Sequence, residues 1–419
     1  MAMKNKRSAI IFFLFFLLIL SGAVLQSEAA HAGNARPYSF LFLDDDYFVR
    51  YHIYSLRRFD DLLLRAAEND PFYNSTGSFE PGVDDLWGVK QINADDVWGT
   101  FQGSGITIAI VDTGLVRSHE DIVSRVYVNR AELLGLRGVD DDGNGRIDDV
   151  RGWDFVDNDN NPADLNGHGT HVAGIAAAIR NNLKGIIGAA PLAKILPVRV
   201  LNRAGLGTFE AIAEGIRYAA AVGAHVINLS LGVNFNLIIP AFTSEEKAAA
   251  RTLLQDAVDF ALGEGSIVVV AAGNDNTNID NDILLASLDN VIAVGATDPD
   301  DARAGFSNFG SSLWITAPGV DILSLGTRRV HIGSGIPGVS NYYVASGTSM
   351  ATPFVSGAIA LLLNKNPLLT LSDIKDALAL GLFTVLPPTP RARGSRPALC
   401  VLMTTTGTGG WISRLLWRS

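Results

Sequence analysis

From about residue 105 the chain alternates short, continuously apolar blocks with longer stretches of helical periodicity. The blocks run from Gly105 to Val111, Ile195 to Leu201, His225 to Leu229, Ser266 to Ala271 and Val291 to Ala296. Between them lie helix candidates at 170–180, 208–222 and 245–262, and another follows at 349–363. Strands without polar alternation are buried on both faces. Interleaved with helices, they predict βαβ crossovers and a mostly parallel sheet inside a three-layer α/β/α fold. Sites in such sheets collect beyond the carboxyl ends of the strands. Asp112 directly follows the first block, and Asn274 lies just past the fourth.

The two ends of the chain break this pattern. Lys4, Lys6 and Arg7 precede an uninterrupted apolar run from Ala9 to Leu20, and Ala30-His31-Ala32 fits a small-x-small cleavage site. That order predicts a signal peptide over 1–32 and hence a secreted product. The run is shorter than the roughly 20 residues of a membrane span, so no stable membrane insertion is expected after cleavage. Residues 33–70 read as a short pro-segment or N-terminal extension, strand-like at 38–43 and helix-like at 60–67. One large globular domain follows over 71–381. The tail, 382–419, has five arginines, no acid, a Pro-Pro-x-Pro run and the single cysteine, Cys400. It reads as atypical, basic and irregular, as a frameshifted or truncated ending would. One cysteine allows no intramolecular disulfide, so stability rests on core packing and metal.

Net charge is −10, with both ends basic and the body between them strongly acidic. Nucleic-acid binding requires clustered Lys and Arg and is excluded on this ground. Solvation and cation binding are the two uses left for the acids.

Three segments carry the candidate chemistry: Ile110-Val-Asp112-Thr-Gly114, Asn166-Gly-His168-Gly-Thr-His171 and Ser346-Gly-Thr-Ser349-Met-Ala-Thr-Pro353. A serine hydroxyl is a weak nucleophile without an adjacent base, and histidine, titrating near neutrality, can supply one. A buried carboxylate then fixes the imidazole tautomer. His168 and Ser349 each sit where a Gly-rich turn enters an apolar helix, so the Ser349 N–H lies among the unpaired donors of a helix start. Asn274 can add a side-chain amide to that oxyanion site. Taken singly, Asp112 is a turn residue, His168 a structural histidine and Ser349 a helix cap; the joint pattern points to catalysis. His171 reads as a packing residue. Ser346 is a rival nucleophile.

These segments, in the order Asp, His, Ser, resemble the three motifs of the subtilisin-like serine proteases over about residues 85–380. The resemblance implies a subtilisin-like fold and a monomeric endopeptidase working through an acyl-enzyme, with Ser349 favoured over Ser346. It implies that polypeptide substrates bind in extended form along Ser230-Leu231-Gly232 and the segment around Gly205, with Ala271, Ala272 and Gly273 beside a roomy primary pocket. An esterase of the α/β-hydrolase type would need a G-x-S-x-G elbow and the order Ser, Asp, His, which this chain lacks. A silent binding protein on the same fold is the other alternative, against which the intact triad stands.

Calcium is the expected cofactor. Asp140, Asp142, Asn144 and Asp148 space oxygens like the front half of an EF-hand loop, without its twelfth-position Glu. The resemblance implies two further loops. One holds Asp154, Asp157 and Asp159. The other joins Asp121 to Asn182, with carbonyls from Arg180, Lys184 and Ile186. No glutamine aligns with the one that the family's site takes near the mature N-terminus.

Overall fold

The computed structural model describes residues 68–233, 242–280 and 283–379. The signal peptide, all but the last residues of the pro-segment, the tail and Cys400 lie outside them. Two short helices, α1 (Trp87–Gln91) and α2 (Ala94–Val97), lead in. Seven parallel strands follow: β1 (Thr107–Asp112), β2 (Trp153–Asp154), β3 (Lys194–Arg199), β4 (Val226–Leu229), β5 (Ile267–Ala271), β6 (Val291–Thr297) and β7 (Ile315–Pro318). Their spatial order is β2-β3-β1-β4-β5-β6-β7, parallel at every junction. The expected parallel sheet is observed, with strand ends within two residues of the apolar blocks.

Alternate strand residues enter two separate cores. Ile108, Ile110, Val226, Val269 and Val294 pack with helix α4 (His168–Ala177) and helix α7 (Thr348–Lys365). Ala109, Val111, Ile227, Leu229 and Val270 pack with α5 (Phe209–Ala221) and α6 (Ser244–Gly263). A strand points successive side chains to opposite faces, so this partition is the three-layer architecture itself. Helix α6 starts at a full capping box: Thr243 accepts from Glu246 N, and the Glu246 carboxylate accepts from Thr243 N. Helices α3 (Arg130–Leu134) and α8 (Leu371–Ala379) are peripheral.

Periodicity did not announce a second, three-stranded antiparallel sheet. It is built from β8 (Ile322–Leu325), β9 (Ser334–Gly335) and β10 (Tyr342–Ala345), in the order β8-β10-β9. β10 runs through residues 346 and 347 into α7, so this sheet delivers the Ser349 segment. Among the described residues, no helix is long and apolar enough to cross a membrane.

Candidate active site

The sheet turns direction around β1: β3 lies on one side and β4 on the other. The predicted catalytic residues surround the carboxyl ends of β1, β4 and β5. Asp112 ends β1 and is fully buried. Both of its oxygens meet His168 Nδ1, at 2.8 and 2.9 Å, and Oδ1 also accepts from Thr113 N at 2.7 Å. The grip requires α4 to start against the turn after β1. A methyl on Gly169 would fall 2.3 Å from the Gly114 carbonyl and 3.2 Å from Asp112 Cβ, so only glycine permits that approach.

Burial opposes a charged imidazole here, but the Asp112 charge and hydrogen bond outweigh it, with Asp164 adding. The His168 pKa is therefore raised above its ordinary 6.5. Asp164 is a residue the motif reading missed. It is buried and caps the start of α4, accepting from Asn166 N, Gly167 N, Thr170 N and the hydroxyls of Thr113 and Thr170. An acid just ahead of the Gly-rich turn, with Thr in the first helical turn, was the available signal.

Ser349 lies one residue inside α7. Its hydroxyl donates to the Ser230 carbonyl at 3.1 Å and makes no hydrogen bond to His168 in this structure. Ser230 answers: its own hydroxyl donates to the Ser349 carbonyl at 2.8 Å. Pro353 explains that bond. Four residues on, it has no N–H to offer Ser349, and the freed helical carbonyl is met by Ser230 instead. The Ser230 hydroxyl also accepts from Asn228, which is held by Ser356.

Asn274 accepts from the N–H and hydroxyl of Thr348 at 2.8 and 3.0 Å, which leaves its amide nitrogen facing the Gly347 turn. A Cβ at Gly347 would sit 3.5 Å from Asn274 Nδ2 and 3.7 Å from the Ser349 N–H. Two donors therefore flank one space that glycine leaves open. Ser346, the rival nucleophile, exchanges hydrogen bonds with Asp321 at 2.8 and 3.0 Å and has no part in the Asp112–His168 pair. His171 is wholly buried. One ring nitrogen meets the Tyr343 carbonyl at 3.0 Å and the other has no partner, and burial pushes its pKa down to about 3. It is a structural histidine, as expected.

Of the expected substrate segments, Gly205, Leu231 and Gly232 line one cleft together. A methyl on Gly232 would lie 3.9 Å from the Ala271 carbonyl. Ala272 is buried, Gly273 donates its N–H to the Thr348 hydroxyl, and Leu231 is also buried. Gly205 sits in a positive-φ turn, and Asn166, two residues before His168, donates to the neighbouring Arg203 carbonyl.

The acidic loops differ among themselves. Asp121 is buried and accepts only from neutral donors: Asn182 Nδ2 at 2.7 Å, Ile186 N at 2.9 Å and Tyr342 OH at 3.3 Å. Burial pushes its pKa up to about 7, and nearby Asp70 adds to that. Asp70, also buried and raised by burial, accepts from the N–H groups of Asn181 and Asn182. It brings an N-terminal carboxylate to the 181–182 loop, where no glutamine aligned. It lies one position before the domain start expected at residue 71. Two buried carboxylates with neutral partners suit a divalent cation.

In the loop 154–159, Arg199 from β3 bridges Asp154 and Asp157, so that pair already has its countercharge; Asp159 accepts from Asn161 N. In the third loop, Asp140 and Asp142 lie together with Glu132, a buried residue that motif spacing missed because it precedes the loop. Asn144 donates to Asp142, and Asp148 turns back to the Gly138 N–H.

Residues 103–381 match the sequence profile of the subtilase family of peptidases. Thermitase of Thermoactinomyces vulgaris is 40% identical over 310 residues, covering 74% of this chain and 89% of thermitase. An extracellular protease of Xanthomonas campestris pv. campestris is 37% identical over 298 residues, covering 66% of this chain and 47% of that protein. Among solved structures, a cold-adapted subtilisin-like serine proteinase superposes with a TM-score of 0.52 at 31% identity, covering 70% of this chain and 90% of its own.

Proposed function

This chain belongs to the subtilase family of serine endopeptidases, and from that premise we propose that Ser349, His168, Asp112 and Asn274 carry out the peptide hydrolysis, in a secreted enzyme stabilised by calcium. The observation that carries this reading is the double contact of buried Asp112 with His168 Nδ1. With Nδ1 donating, Nε2 is the nitrogen left to take a proton.

Turning of the Ser349 hydroxyl from the Ser230 carbonyl to His168 starts the reaction. Nε2 takes the hydroxyl proton as Oγ bonds to the scissile carbonyl carbon, and the carbonyl electron pair moves onto oxygen. The Asn274 amide and the Ser349 N–H receive that oxyanion. Collapse breaks the C–N bond, and His168 returns its proton to the leaving amine. Water, deprotonated by the same nitrogen, hydrolyses the acyl-enzyme. The freed Ser230 carbonyl, with Leu231, Gly232 and the turn at Gly205, holds an extended substrate by main-chain pairing.

Secretion is supported by the basic-apolar-small pattern of residues 1–32 and by a relative named as extracellular. Calcium is supported most by the buried carboxylates of Asp121 and Asp70, which both meet Asn182, with the carbonyls of Arg180, Lys184 and Ile186 as further ligands. There it would supply the positive charge that these acids lack. The 140–148 loop with Glu132 is a second candidate, and Asp154, Asp157 and Asp159 a third in which Arg199 competes.

A serine-directed fluorophosphonate tests the catalytic assignment. Labelling of the wild type and none of Ser349→Ala is expected; equal labelling of both defeats it.

A further inference from the structure

The antiparallel sheet that delivers Ser349 does more than carry the nucleophile. Residues 326–341 connect β8 to β10, and His331 within them packs against the turn that precedes His168. A tight turn closes them, with Thr327 and Val330 exchanging backbone hydrogen bonds at 2.7 and 3.2 Å. His331 then stacks on Tyr343, with ring centroids 4.0 Å apart and planes 8° apart. Its backbone presses on the residue before the catalytic histidine: a methyl on Gly167 would fall 2.5 Å from His331 Cα. His168 protonates the leaving amine, so the chain beyond the scissile bond emerges on the side where this connection lies.

An open cleft of about 750 Å³ adjoins this connection, bordered by β9, the end of β10 and the loop 78–81. Glu80 and Asp321 are the charged groups lining it, and Ser78, Ser334 and Ser346 add hydroxyls; no Lys, Arg or His lines it. Arg328 and Arg329, at the tip of the turn, are exposed but outside the lining. β9 is an exposed edge strand, paired to β10 alone. Ser346 is three residues from Ser349, hence within about 11 Å of it along the chain. An extended peptide advances about 3.3 Å per residue, so its second to fourth residues past the scissile bond reach the cleft.

We propose that this cleft is a subsite for the leaving-group side of the substrate and that Glu80 and Asp321 select a basic side chain there. The assignment rests on the peptidase reading above. β9 offers the main-chain edge for an added strand, and the two carboxylates give the charge preference.

Internally quenched peptides of one common sequence test it, with Lys or Glu placed singly at the second, third or fourth position past the scissile bond. Lys is expected to exceed Glu in kcat/KM by about fivefold at one of these positions, the scale of partly exposed ion pairs. The ratio should shrink toward one in 1 M salt, where charges are screened beyond about 3 Å. In Glu80→Gln/Asp321→Asn the ratio should fall within about twofold of one. Ratios are taken within each variant, so a general loss of activity does not mimic the effect, and the salt series on wild type decides if the variant does not fold. A Lys/Glu ratio at or below one at all three positions overturns the proposal, as would an acid preference set by Arg328 and Arg329. A ratio that survives in the double variant overturns the role of the two carboxylates. Failure to cut any of the peptides sinks the peptidase reading, and this inference with it.

Discussion

Ser349 shows how much one side chain depends on its neighbours' covalent structure. Pro353 frees the Ser349 carbonyl, and Ser230 closes the gap from β4. Ser230→Ala leaves that carbonyl without its partner. Denaturant titration should show a loss of about 1–3 kcal/mol, the cost of an unsatisfied buried acceptor. Asp112→Asn keeps the shape but presents an amide to Nδ1, and kcat should fall about 10⁴-fold through the wrong tautomer. Asn274→Ala removes one oxyanion donor. Its expected cost in kcat is about 10²–10³, the range established for that donor in subtilisin; an unchanged kcat would remove Asn274 from the mechanism.

At the scale of elements, the start of α4 couples structure to proton chemistry. His168 must be neutral to act as a base, and its pKa is raised above 6.5 by Asp112 and Asp164 against the opposing effect of burial. The acid limb of kcat/KM should therefore have its midpoint above 6.5. Asp164→Asn should move that midpoint down, because one of the two raising charges is gone. Stability follows the same sign: the contribution of His168 is fully present below pH 6.5 and fades as pH rises through the folded-state value. β3 shows a second coupling. Arg199 meets Asp154 at the end of β2 and Asp157 in the short loop after it. Arg199→Met would strand buried Asp154 and should cost about 3–5 kcal/mol in chemical denaturation.

The whole molecule carries a net charge of −10 and no disulfide within the described residues. Bound cations are the natural reinforcement for such a surface. Asp121 makes the point testable. Its pKa is raised from 3.8 to about 7, chiefly by burial, so the protonated form favours the fold. That contribution is complete below about pH 3.8 and is lost as pH rises through 7. In the calcium-bound enzyme proposed above, the ion would take the proton's place. Chelation should therefore lower the melting temperature more at pH 8 than at pH 5, because a ligand bound only to the native state must stabilise it. A melting temperature indifferent to chelator at pH 8 would count against any structural ion.

The sequence by itself determined the parallel sheet, the four long helices and the positions of Asp112, His168, Ser349 and Asn274. Those signals are local: short, continuously apolar blocks, a period of 3.6 residues between them, and glycines flanking a reactive side chain within one short segment. Tertiary structure decided everything that depends on distant partners. Asp164 and Thr113 are 51 residues apart, Asp70 meets a loop 111 residues later, and the Ser230–Ser349 exchange spans 119. Arg199 answers Asp154 because β2 pairs with β3, a neighbour relation that no spacing in the chain records. The small sheet of β8, β9 and β10 escaped for the same reason. Its strands are two to four residues long, too short for a period, and their pairing joins segments up to about 20 residues apart.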